Sequence, residues 1–137
     1  MFLKNAFLAD VVTSDATGKL TAVGIFDVIF SSAFPTVHRD MTLVVRLEGT
    51  PAEKGDHNLS VELRDHDANK IAQFGQKIAL LPSNIDKILR AQVIVNLRDV
   101  PFRSPGQYEF VIFSDERFLG RVVFTLGKVK VKEAGEA

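Results

Sequence analysis

Residues 63 to 72, LRDHDANKIA, place Asp65, Asp67 and Asn69 at alternate positions around His66. Oxygen ligands at that spacing are what a calcium loop supplies from its first, third and fifth positions. As an EF-hand the stretch fails. Lys70 stands where a glycine must make the sharp turn, and Gln76 stands where a bidentate glutamate closes the site. A looser calcium site in a β-sandwich loop would use Asp65, Asp67 and Asn69 together with a carboxylate from elsewhere, such as Asp115 or Glu116. The plainer reading is a turn in which Asp67 to Lys70 join two strands, since asparagine tolerates the left-handed backbone.

His38, His57 and His66 are far apart in sequence, with no close pair at zinc-ligand spacing. His66, between two aspartates, is biased toward its charged form if they are close in space. No nucleophile accompanies it at a recognisable spacing. The chain has no Gly-x-Ser-x-Gly elbow, phosphate-cradling glycine loop, dinucleotide fingerprint or His-Glu-x-x-His string. Cysteine is absent, which removes disulfides, thiolate zinc sites and cysteine nucleophiles and fits a reducing cytoplasm. The expectation is a protein that is not an enzyme and needs no cofactor, with calcium as the one alternative.

The elements that would hold these residues are strands. In LSVELRD, Leu59, Val61 and Leu63 alternate with Ser60, Glu62 and Arg64, one set for a core and the other for water. MTLVVRLEG (41–49) and RAQVIVNLRD (90–99) repeat the pattern. GQYEFVIFSDERFLGRVVFTLG (106–127) reads as a hairpin turning at Ser114 to Arg117. Residues 7–30 read as two β-rich runs around Asp15 to Lys19, where Gly18 supplies the positive φ of a hairpin loop. The one plausible helical turn lies in PSNIDKILR, from Ser83 or Asn84 to about Leu89.

Turn signals every 8 to 12 residues indicate an all-β fold. The expectation is an antiparallel β-sandwich of about eight strands with immunoglobulin-like, Greek-key character and at most one short helix. Tyr108, near the start of a late strand after Pro105 and Gly106, resembles a tyrosine corner. Residues 1–127 form a single domain in this reading. Residues 128–137 extend an edge strand and end in a tail, Lys128, Lys130 and Lys132 guarding the edge against aggregation.

Residues 7–49 resemble the opening of a family of small, uncharacterised bacterial all-β proteins. The shared features are an apolar strand entering a Ser/Asp/Gly turn, Gly-x-Phe-Asp at Gly24 to Asp27, Phe34-Pro35, and a strand ending in RLEG. GQYEFVIFSDERFLG resembles that family's closing hairpin. The resemblance implies a stand-alone bacterial domain and carries over no activity and no site residue.

The 137 residues carry 17 Lys plus Arg against 17 Asp plus Glu. No global field draws the chain to nucleic acid or an acidic membrane. With 46% hydrophobic residues it can bury an ordinary core, and no apolar run approaches the roughly 20 residues of a membrane helix. The N-terminal stretch reads poorly as a signal peptide. IFDVIF (25–30) is apolar on both faces, as in a strand covered on both sides by the domain or by a partner chain. With FVIF (110–113) and 11 phenylalanines, it points to a protein interface. Ile25, Phe26, Ile29, Phe30 and Phe113 are the candidate interface residues. The function expected is a cytoplasmic, non-catalytic module that self-associates as a homo-oligomer or binds a protein partner. The alternative is a small-ligand or calcium-binding sandwich.

Overall fold

The computed structural model describes residues 1–130. Nine strands follow one another: β1 (Phe2–Ser14), β2 (Leu20–Phe26), β3 (Val28–Ser31), β4 (Thr36–Gly49), β5 (Gly55–Arg64), β6 (Lys70–Leu80), β7 (Leu89–Phe102), β8 (Gly106–Ser114) and β9 (Arg117–Lys128). They form a four-stranded sheet in the order β2-β1-β4-β7 and a five-stranded sheet in the order β3-β9-β8-β5-β6. β5 lies beside β8, and the chain between them returns through β7 in the other sheet, which is the crossing pattern of a Greek-key sandwich. All pairings are antiparallel except β3 with β9. The only helical segment among the described residues is a single 3-10 turn, Pro51–Glu53.

The alternating residues form the core as expected. Leu59, Val61 and Leu63 of β5 face Leu43, Val45 and Leu47 of β4 within one buried cluster. At one end of the core Phe102, Tyr108, Phe110 and Phe124 pack together, with ring centroids 4.9 to 6.0 Å apart. Aromatic pairs at such separations add to the stabilisation from area burial. The Tyr108 hydroxyl donates to the Ser104 carbonyl at 2.6 Å, so the tyrosine corner is present and its phenol is satisfied despite burial.

PSNIDKILR does not form the expected helical turn. Residues 82–88 are an irregular connection in which Ser83 Oγ accepts the Ile85 N–H and Asp86 Oδ1 accepts the Ile88 N–H. These short polar side chains offer the backbone partners that a helix would otherwise provide. Ile85 is 93% exposed, so no apolar stripe is available to dock a helix. Leu89 belongs instead to β7 and is buried.

IFDVIF is not one strand. It breaks at Asp27, leaving Ile25 and Phe26 on β2 in one sheet and Val28 to Ser31 on β3 in the other. The Asp27 carbonyl already accepts from Thr125 N–H, so the change of sheet occurs within one residue. This adds a strand to the expected eight.

The β1–β2 hairpin adds a partial third layer. β1 pairs with β4 only as far as the Ala9–Thr42 rung, then continues with β2 alone. A straight hairpin would run out beyond that end of the sheet. Instead Gln92 Nε2 donates to the Gly18 carbonyl at the hairpin tip, 2.7 Å away, and Gln92 lies opposite Arg46, back along the sheet from the Thr42–Asn96 rung. The distal hairpin therefore folds back over the outer face of the four-stranded sheet. Ala9, Thr42 and Val44 on that face are almost fully buried, which a two-layer sandwich would not achieve. The bend lies at Gly24, φ +71°, where a Cβ would meet Asp10 Oδ2 at 2.3 Å. Only glycine fits both constraints.

Lys128 ends β9, and the Val129 N–H still donates to the Ser31 carbonyl at 2.9 Å. β9 lies between β3 and β8, with Lys128 opposite Ser31, and residues 131–137 of the expected edge extension lie outside the described residues.

Candidate functional site

Asp65 is the organiser of the β5–β6 turn. Its Oδ1 accepts the N–H groups of Asp67 and Asn69, both at 2.9 Å, and its Oδ2 accepts from Asn69 Nδ2 at 3.3 Å. The backbone closes through Ala68 N–H to Asp65 O and Asp65 N–H to Asn69 O, each 3.0 Å. These bonds hold the carboxyl below its ordinary range, Asn69 N–H contributing most. Asp15 builds the same turn between β1 and β2, accepting from Thr17 and Lys19 N–H groups. The residue needing a positive φ is Gly18 in one turn (φ 84°) and Ala68 in the other (φ 63°).

Asp115 does not join Asp65. Asp115 sits against Asn58 near the start of β5, while Asp65 follows its end. The intervening seven residues of strand span about 23 Å. No cluster of three metal-ligating side chains occurs among the described residues.

What Asp115 does join is His57. Its Oδ2 is 2.6 Å from His57 Nδ1, and its Oδ1 accepts the Asn58 N–H at 2.9 Å. His57 Nε2 lies 2.6 Å from the Glu53 carbonyl oxygen. A ring with an acceptor at each nitrogen is best satisfied as imidazolium. The Glu53 carbonyl, then the Asp115 carboxylate, raises the His57 pKa, and Asn58 N–H, then His57, lowers that of Asp115. Although Ser114 is adjacent, its buried Oγ has no hydrogen-bond partner among the described residues, and the imidazole has no nitrogen free to act as its base. The arrangement ties the β8–β9 turn to β5 and the 3-10 turn. Sequence reading missed the pair because 58 positions separate its members. The only signal was a histidine at a strand start and an aspartate in a turn.

The other histidines stand apart. The His66 ring meets Tyr108 edge-on at 6.4 Å and lies 3.5 Å from Asp67. His38 packs against Phe26 at 6.1 Å, with its Nε2 buried and unpartnered among the described residues. An open groove of about 560 Å³ crosses the outer face of the five-stranded sheet between Asn58, Glu62, Gln73 and Phe113. Glu62 there is paired with Arg64 and Lys70.

The interface candidates divide by exposure. Ile25 is 64% and Phe30 67% exposed, whereas Ile29 is a core residue at 8%. Phe26 is half-buried and packs on the core. Phe113 is half-buried, with Phe118 at 6.2 Å and the Arg64 guanidinium 5.9 Å from its ring. Val28, 40% exposed, and Val123, 39% exposed, were not singled out from sequence. Val28 and Phe30 stand beside Thr125 and Gly127 of β9 on the outer face. The change of sheet at Asp27 thus leaves Val28, Phe30 and Val123 exposed on the five-stranded sheet and Ile25 exposed on the four-stranded one.

Residues 4–127 match a family of unknown function, DUF6941. The chain belongs to this family. The match covers both stretches read as resembling an uncharacterised all-β family, and extends over the whole sandwich. No curated protein matches the chain in sequence. Among solved structures, a beta-glucuronidase from glycoside hydrolase family 2 is similar at 14% identity and TM-score 0.44, over 69% of this chain and 11% of that one. The Pseudomonas fluorescens alkylpurine DNA glycosylase AlkC, bound to DNA containing an abasic site analog, is similar at 12% identity and TM-score 0.42, over 88% of this chain and 30% of that one. A putative beta-galactosidase from Bacteroides fragilis is similar at 12% identity and TM-score 0.40, over 69% and 15%. The family member therefore spans less than a third of each of these proteins, and likeness at this level transfers no activity. No helix among its described residues is long and apolar enough to cross a membrane.

Proposed function

We propose that this protein is a non-catalytic interaction module, bacterial and cytoplasmic, that self-associates or binds a protein partner through the apolar edge at the β2–β3 junction. The observation that carries the reading is Phe30, a phenylalanine two-thirds exposed on a regular strand, with exposed Val28 two residues before it on the same face. Contiguous apolar surface of this kind is what interfaces remove from water. The polar residues that first suggested chemistry support the reading by their other employment. Asp65 satisfies its own turn, and both nitrogens of His57 are engaged.

The test is light scattering coupled to size exclusion, run over a range of protein concentrations with calcium and again with chelator. The expected result is a species heavier than the 15.1 kDa monomer, unchanged by chelator and reduced by Ile25→Asp. A monomer at every concentration whose melting temperature falls on chelation would overturn this reading and return the Asp65 turn to calcium.

A further inference from the structure

β3 is the terminal strand of the five-stranded sheet. A strand in a parallel ladder bonds through alternate residues. Here the Asp27 and Ser31 carbonyls accept from the Thr125 and Val129 N–H groups, so Val28 and Phe30 turn their N–H and C=O groups away from β9, to a side where no strand among the described residues pairs with them. Exposed edges of this kind recruit further strands unless guarded. The other three edges of the sandwich are guarded. β2 is kinked at Gly24 and folded back, β6 carries Lys70 and Lys77, and β7 carries Arg90, Arg98 and Pro101 with a positive φ at Asp99. β3, with the sequence Val-Ile-Phe-Ser, has no charge, proline or glycine.

We propose that the occupant of this edge is β3 of a second copy of the chain, antiparallel, with Val28 opposite Phe30 and the two-fold axis at Ile29. The proposal rests on the interaction reading above and specifies its partner. The argument for a second copy is the symmetry of the open groups. The residues offering backbone bonds are placed evenly about Ile29, so Val28 of each copy exchanges both its N–H and C=O bonds with Phe30 of the other. Four backbone bonds form with none left over at the centre of the strand. The same register sets the exposed Val28 side chain beside the exposed Phe30 of the second copy, an aromatic and β-branched cross-strand pair. It also places Asp27 opposite Ser31 and so keeps the two aspartates apart. Two five-stranded sheets become one continuous sheet of ten. An isologous interface needs exactly this self-complementarity.

The test uses the full chain, its Val28→Lys and Phe30→Pro variants, and two single-cysteine variants of a protein that has no cysteine of its own. Because the Phe30 N–H points away from β9, proline at an outer edge position removes no bond within the monomer. Retention of the β spectrum by circular dichroism checks that both variants fold. Expected are a dimer for the natural sequence and a monomer for each variant. Val28→Cys mixed with Phe30→Cys should form a disulfide, because a hydrogen-bonded rung sets its Cα atoms about 5.5 Å apart. Val28→Cys alone should not, since its copies stand about 9 Å apart in this register. A dimer that survives Val28→Lys and Phe30→Pro, or a disulfide in Val28→Cys alone, overturns the β3 pairing and leaves interaction through another surface or register. A monomer at every concentration overturns both the pairing and the self-association on which it rests.

Discussion

Ala68 and Gly18 occupy equivalent places in two turns built by Asp65 and Asp15, yet one is alanine at φ 63° and the other glycine at φ 84°. An L-residue in the left-handed region costs roughly 1–2 kcal/mol, and glycine costs about 0.4–1 kcal/mol through the entropy of the unfolded chain. The first term is larger, so Ala68→Gly should stabilise the protein by about 0.5–1 kcal/mol, read as a higher urea midpoint at unchanged slope. His57 gives a prediction in pH. Its folded pKa is raised above the ordinary value of about 6.5, so its contribution is complete below that pH and is lost as pH rises through the folded value. Asp115, lowered, contributes above its ordinary value of about 3.9 and loses that contribution as pH falls. Stability from the pair is therefore greatest between about pH 4 and 6.5. Urea unfolding of His57→Gln should show a shallower loss between pH 6 and 9 than the natural sequence, and equal slopes would remove the pair from the account.

At the scale of elements, the period-2 alternation in residues 59–65 and 41–49 announced strands whose registers the structure keeps, because one face of each is buried and a shift by one residue would expose it. The tyrosine corner was legible for the same local reason, since Tyr108 bonds only four residues back. What was not legible depended on distant partners. IFDVIF is apolar throughout, so its pattern could not say that the sheets change at Asp27, nor that Ile29 faces the core while Phe30 faces water. A glycine inside a strand-like run marks a bulge or close backbone approach at Gly24, which the structure has, but the sequence does not show that the β1–β2 hairpin folds back there. The hinge is testable. Gly24→Ala places a Cβ against Asp10 at a residue with φ +71° and should cost at least about 1–2 kcal/mol. Amide hydrogen exchange should then quicken in residues 11–23 and around Val44, which the hairpin covers, while β5 and β8 keep their protection. Uniform loss of protection across both sheets would mean the hairpin is not a separate layer.

For the whole molecule, the sandwich has two kinds of boundary. Three of its four sheet edges are closed by bending, charge or proline, and the fourth, β3, is apolar and left open by the described residues. A monomer with one open edge can stay soluble at low concentration and acquire a partner at high concentration, because pairing stabilises the folded chain by mass action while the unfolded chain gains nothing. The melting temperature of the natural sequence should therefore rise with protein concentration, and that of Val28→Lys should not. The comparison is informative because lysine at an exposed edge position changes little within the monomer, so at low concentration the two proteins should melt together. Curves that diverge only as concentration increases would place the difference in association. A constant offset between them would place it in the fold of the monomer and remove the open edge as its cause.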